Sequence, residues 1–142
     1  MGGRSWTELF FLDEATALAA GHRPCFFCRR DDANRFRTAW EHGNGVTQIR
    51  AREIDAVLHR ERLTNGTKRL HPLPMQRLPD GAMVALGDES YLIANGRMWR
   101  WSFDGYRGAD VDAGGAVLLT PPSTLHALDA GYRPVLHPSA GV

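Results

Sequence analysis

The sequence predicts an α+β domain: a helical first half, an extended connector, then a small antiparallel sheet followed by a short helix. Three observations carry this. Residues 14–63 place apolar side chains at helical spacing, as in Phe36 and Trp40 or Ile54, Val57 and Leu58. Three prolines, at 72, 74 and 79, interrupt the chain over 70–81. Beyond them, two β-rich runs flank Asn95-Gly96, the strongest short hairpin signal.

The 142 residues fit one domain, with a helical, basic part over about 1–69, the connector over about 70–81 and a β-rich part over about 82–142. A hydrophobic fraction of 43% and a charged fraction of 23% are those of a globular chain that can bury a core without staples. No apolar run approaches the roughly 20 residues that cross a bilayer. The start, Met1-Gly-Gly-Arg-Ser-Trp6, lacks the pattern of a secretion signal, so a cytoplasmic location is expected. In that compartment two cysteines three apart point to metal or redox chemistry rather than to a structural disulfide.

The elements follow in order. Trp6–Leu12 reads as a short strand, and Asp13 as the cap of an alanine-rich helix over 14–20 that Gly21 stops and Pro24 keeps from resuming. Cys25–Cys28 forms a tight turn. A second helix runs over about 31–41, with His42-Gly-Asn-Gly as its stop. A third spans about 51–63 and is closed by Asn65-Gly66. Strands are expected over 82–86, 91–94, 97–103 and 117–120. Pro121-Pro122-Ser123 opens a last helix that Gly131 ends. One internal echo stands out: Ala17-Leu-Ala-Ala-Gly-His-Arg-Pro-Cys25 matches Ala127-Leu-Asp-Ala-Gly-Tyr-Arg-Pro-Val135, both reading as helix, glycine stop and Arg-Pro turn. The second copy lacks the thiols, so the turn does not require them.

Charge is unevenly distributed. Residues 21–77 carry 12 Arg or Lys against 6 Asp or Glu, and residues 78–142 carry 4 against 7. A solvated helical surface accounts for such a basic half; contact with nucleic acid is the functional alternative. On that alternative Arg29, Arg30, Arg35 and Arg37 face phosphate, and binding weakens steeply with salt.

The Cys25–Cys28 turn is the most informative motif. Two thiolates on a tight turn can share one ion, and zinc takes about four such donors. His22 extends the pattern to His-x-x-Cys-x-x-Cys, and His42 or His59 are candidates for the fourth position. Buried structural thiols and a redox pair, its thiol acidified by the following helix and by Arg29 and Arg30, are the competing readings.

Phe10-Phe11, the alanine-rich helix and Ala20-Gly-His-Arg-Pro-Cys25-x-x-Cys28-Arg29 resemble the second half of the zinc-binding domain of Ada-type methyl-phosphotriester DNA repair proteins. The resemblance covers about 20 residues, and it implies that Cys25 and Cys28 ligate zinc. Two departures limit it. Arg30 stands where that family usually has proline, and the family's upstream cysteine pair, which includes the methyl acceptor, is missing. Methyl-transfer activity is therefore not implied. The remaining ligands are expected from a later-starting reading frame's missing segment, from histidines, or from a second subunit in a homo-oligomer.

An enzyme reading competes. Pro24-Cys-Phe-Phe-Cys28 and His59-Arg-Glu61 are the pieces of a zinc nucleobase deaminase, with zinc-bound water as nucleophile and Glu61 as proton shuttle, or of a related zinc hydrolase. The pieces occur in reversed order, and His59 and Glu61 fall on different faces of one helix. Asp55 and His59, at i and i+4, form an acid–base candidate that an exposed helical pair explains better. Trp99, Trp101 and Phe103 alternate along one strand, as core or as a base-stacking face. A metal-free interaction module is the remaining alternative. The favoured expectation is a non-enzymatic, zinc-stabilised domain.

Overall fold

The computed structural model describes residues 12–64, 67–74 and 77–140. The strand expected over Trp6–Leu12, the Asn65-Gly66 stop and the first half of the resemblance at Phe10-Phe11 lie wholly or mostly outside these residues. Helix α1 (Glu14–Ala19) precedes the cysteine turn; α2 (Arg30–Asn44) and α3 (Ala51–Arg62) follow. Then come β1 (Leu63–Thr64), β2 (Thr67–Lys68), β3 (His71–Pro72), β4 (Met83–Leu86), β5 (Glu89–Ala94), β6 (Arg97–Ser102), β7 (Gly105–Ala109), β8 (Val117–Leu118) and α4 (Pro122–Asp129). The α+β expectation holds: a six-stranded antiparallel sheet, ordered β3-β8-β4-β5-β6-β7, follows the helical half.

Both faces of the central strands β4 and β5 are covered, which explains apolar runs such as Met83-Val-Ala-Leu. Val84, Tyr91, Met98 and Leu118 face one core with Phe36, Trp40, Ile54, Leu58, Leu125 and Leu128 of the long helices. Met83, Leu92, Trp101, Tyr106 and Leu119 face the other, where Ala15 and Ala19 lay the small-residue side of α1 against the sheet. Adjacent residues thus alternate between two cores rather than between core and solvent, with Met83 opposite Leu92 and Val84 opposite Tyr91. Among the described residues, no helix is long and apolar enough to cross a membrane.

Local signals account for most boundaries. Asp13 caps α1 by accepting the Thr16 N–H at 3.0 Å, and Thr16 Oγ1 accepts the Asp13 N–H at 3.1 Å, a capping box. The two echoed segments end their helices identically: Gly21 N–H bonds Leu18 O and His22 N–H bonds Ala17 O, as Gly131 N–H bonds Leu128 O and Tyr132 N–H bonds Ala127 O. Asn95 and Gly96 both take positive φ, as a two-residue hairpin with the twist of its strands requires.

Four features differ from the sequence reading. Helix α2 runs through Gly43 and stops only at Gly45, which is left-handed. Gly43 serves packing instead: a Cβ there would sit 2.2 Å from His126 O, so α2 and α4 cross nearly backbone to backbone. The proline-rich connector contributes β3, which pairs through His71 with Leu118 at the sheet edge, where a proline is tolerated. Strands β1 and β2 pair with each other directly after α3. Strand β7, Gly105–Ala109, carries no alternation in its sequence; it forms because the turn after β6 returns it alongside, with Tyr106 opposite Trp101.

Candidate metal and anion site

The turn that carries the cysteines is held from three sides. Its backbone closes through Arg29 N–H to Cys25 O at 2.9 Å. Arg23 grips Asp55 of α3 with two bonds, Nε–Oδ1 at 2.8 Å and Nη2–Oδ2 at 3.0 Å. The Phe26 ring lies between two guanidinium groups, Arg23 at 5.2 Å and Arg37 of α2 at 5.5 Å. Arg29 pairs with Glu14 at 3.1 Å and with Asp32 at 2.5 Å. Glu14 in turn accepts from Tyr132 Oη and from Val135 N–H at 2.8 Å. One carboxylate at the start of α1 therefore ties together the cysteine turn and the second echoed turn.

Cys25 is half-buried and Cys28 exposed, and neither is in a disulfide. The two thiols are near enough for each to shift the other's titration. The Cys25 thiol is held below the usual thiol range, first by the Cys28 N–H and thiol, then by the Phe27 N–H, which donates to Sγ at 3.4 Å. The Cys28 thiol is pushed up, because its proton is shared with Cys25 and a second negative sulfur beside the first is unfavourable. Between them the Phe27 side chain is 99% exposed.

A cleft of 640 Å³ runs from this turn along α3, bordered by His22, Cys25, Asp55, His59 and Arg62 among others. His22 and His59 thus share a cavity with Cys25, whereas His42 lies near the far end of α2, beside Thr38 and Gly131. Burial, and then the charge of Arg62, lower the His22 pKa, which favours the neutral, ligating form of the imidazole. Among the described residues, however, no three Cys, His, Asp or Glu side chains converge closely enough to hold one ion.

The arginine row is largely committed. Arg29 is paired as above, Arg35 pairs with Asp32, and Arg37 bonds Asn34 at 2.9 Å and covers Phe26. Arg30 is exposed and makes no ion pair among the described residues.

The deaminase pieces are not assembled. His59 borders the cleft, but Glu61 turns to the other side of α3 and caps α4, accepting Ser123 N–H at 2.9 Å and Ser123 Oγ at 2.6 Å. Asp55 is taken by Arg23 rather than by His59. Of the aromatic strand, Trp101 is core, Trp99 is half-buried beneath Arg97 at 4.9 Å, and Phe103 lies exposed in the following turn.

Two residues outside every sequence motif shape this region. Lys68, the single lysine, is half-buried and donates to Ala19 O at 2.5 Å and Leu119 O at 3.0 Å, anchoring the C-terminus of α1 to the chain after β8. Arg62 packs its stem against Gly21 at the cleft wall. Comparison of the chain with protein-family models, curated proteins and solved structures finds no match.

Proposed function

We propose that the Cys25–Cys28 turn is a zinc-binding knuckle with a structural role, in a module that resembles part of the Ada-type domain and lacks its methyl-accepting cysteine. One observation carries the reading. Both cysteines sit on a turn already fixed by Arg23, Phe26 and Arg29, and Cys25 Sγ accepts the Phe27 N–H at 3.4 Å. Thiolate, not thiol, is the metal ligand, and that N–H favours the thiolate. The zinc would draw its other donors from His22 and His59 on the cleft walls, or from the same pair in a second copy.

Elemental analysis of the purified chain, beside a Cys25→Ser, Cys28→Ser double variant, tests this. The expected result is one zinc per chain, or one per two chains where two copies share the ion. The variant should lose the metal and unfold at lower temperature. Chains that carry no zinc after exposure to it, and that unfold like the variant, would end the metal reading.

The asymmetry of the two thiols favours a second reading. An acidified Cys25 beside a protonated, solvent-facing Cys28, at the start of the 15-residue α2, is also the arrangement of a redox dithiol. Its signature is rapid alkylation of Cys25 before Cys28 in the metal-free chain, and a reversible Cys25–Cys28 disulfide. A zinc-loaded chain that resists both supports the knuckle.

A further inference from the structure

The cleft beside Cys25 holds more positive charge than its own carboxylate offsets. Arg23, Arg52 and Arg62 line it, and Asp55, the acidic group on its walls, is spent on Arg23. Arg62 is the unusual member. It is half-buried, and among the described residues it enters no ion pair and its buried Nε has no hydrogen-bond partner. A buried guanidinium donor with no acceptor is costly, and its planar fork suits an oxyanion. Gly21, at φ +94°, is what lets the Arg62 stem lie there, since a Cβ would come within 2.5 Å of Arg62 Cδ. The charge acts on its surroundings: after burial, Arg62 is the next cause that lowers both His22 and Lys68.

Position along the helix indicates the ligand's shape. Arg52, Asp55, His59 and Arg62 recur every three or four residues, so they form one stripe of α3 along the cleft. Ten residues of helix separate Arg52 from Arg62 by about 15 Å. We propose that this cleft is a phosphate-binding groove, in which Arg62 receives one phosphate oxyanion and Arg52, at the other end, receives a second on an extended ligand. The groove stands independently of whether Cys25 and Cys28 hold a metal. It also lies on different residues from the paired Arg29–Arg37 row.

The test uses the full chain with three probes: inorganic phosphate, pyrophosphate and a short single-stranded oligonucleotide, read by thermal shift and titration calorimetry. Arg62→Met keeps the stem over Gly21 and removes the fork. It should fold with stability no lower than the parent's and bind each probe at least tenfold more weakly. Arg62→Lys, which keeps the charge without the fork, serves if the methionine variant does not fold, and it should bind several-fold more weakly. Arg107→Gln, at an exposed position of β7, should leave binding unchanged. An oligonucleotide that binds more tightly than phosphate and loses affinity in Arg52→Gln identifies the source as a nucleic-acid backbone. Phosphate or pyrophosphate binding without oligonucleotide binding identifies a small phosphorylated ligand. No binding of any probe, or equal loss in Arg107→Gln and Arg62→Met, overturns the proposal.

Discussion

Replacing Gly43 by alanine should destabilise the protein, although the same change inside an exposed helix stabilises by up to about 1 kcal/mol. Gly43 lies within α2, so the change relieves no backbone strain. The obstacle is steric. The new methyl would lie 2.2 Å from His126 O, 2.6 Å from His126 C and 3.2 Å from Ala127 N, all backbone atoms of α4. Backbone cannot rotate aside as a side chain does, so the two helices must separate. That loosens the packing of Phe36 and Trp40 against Leu125 and Leu128 and stretches the bonds of Asn44 to Ser123 O at 3.0 Å and to His126 Nδ1 at 2.7 Å. Overpacking of this kind costs about 1–3 kcal/mol. A 2.2 Å clash with backbone falls in the upper part of that range, about 2–3 kcal/mol, so after the gain in helix propensity the net loss is about 1–2 kcal/mol. With a urea slope of about 2 kcal/mol/M, the unfolding midpoint falls by about 0.5–1 M. Urea denaturation followed by tryptophan fluorescence reads this directly. A Gly43→Ala protein as stable as the parent, or more so, would refute the close crossing of α2 and α4.

Two further outcomes follow from buried polar groups. Burial, and then Arg62, bring the Lys68 ammonium down from 10.5 to about 8, so between those values the unfolded chain holds the proton that the folded chain has released. Stability should therefore rise with pH from about 8 toward 10, recovering part of a burial cost of about 3 kcal/mol that is present in full at pH 7. Above about 10 the trend reverses, because burial raises the Tyr106 and Tyr132 phenols and the folded state then holds the extra protons. Lys68→Met should flatten the rise in denaturation measured across pH 7–10, and an unchanged slope would contradict the buried ammonium. Glu61→Ala should cost about 1–2 kcal/mol by uncapping α4, while Glu61→Gln, which keeps an acceptor for Ser123 N–H, should cost less than half as much. Equal losses in the two, measured by the same denaturation, would remove the capping role.

What the residues themselves determined was everything set within about four positions along the chain. The Asp13 cap, the glycine stops at 21 and 131, the Asn95-Gly96 hairpin and the tight Cys25–Cys28 turn all close through short-range bonds, so residue type at fixed offsets suffices to read them. The echo at residues 17–25 and 127–135 was legible for the same reason, since one nine-residue pattern yields one pair of cap bonds wherever it occurs. The α+β class was legible too, because helical and strand periodicities occupy separate halves.

The tertiary structure alone decided the distant partners. Arg23 meets Asp55 from 32 positions away, Glu61 meets Ser123 from 62, and Glu14 meets Val135 from 121. Such partners are selected by the packing of whole helices against the sheet, and no local pattern encodes them. The arginine row is the opposite case: Arg29 and Arg35 meet Asp32, and Arg37 meets Asn34, all three positions away, and only the bond from Arg29 to Glu14 is distant. Arg62 Nε, by contrast, is buried with no hydrogen-bond partner among the described residues. Gly43 belongs with the distant partners: as sequence it reads as a helix stop, and only the arrival of α4 makes it a contact.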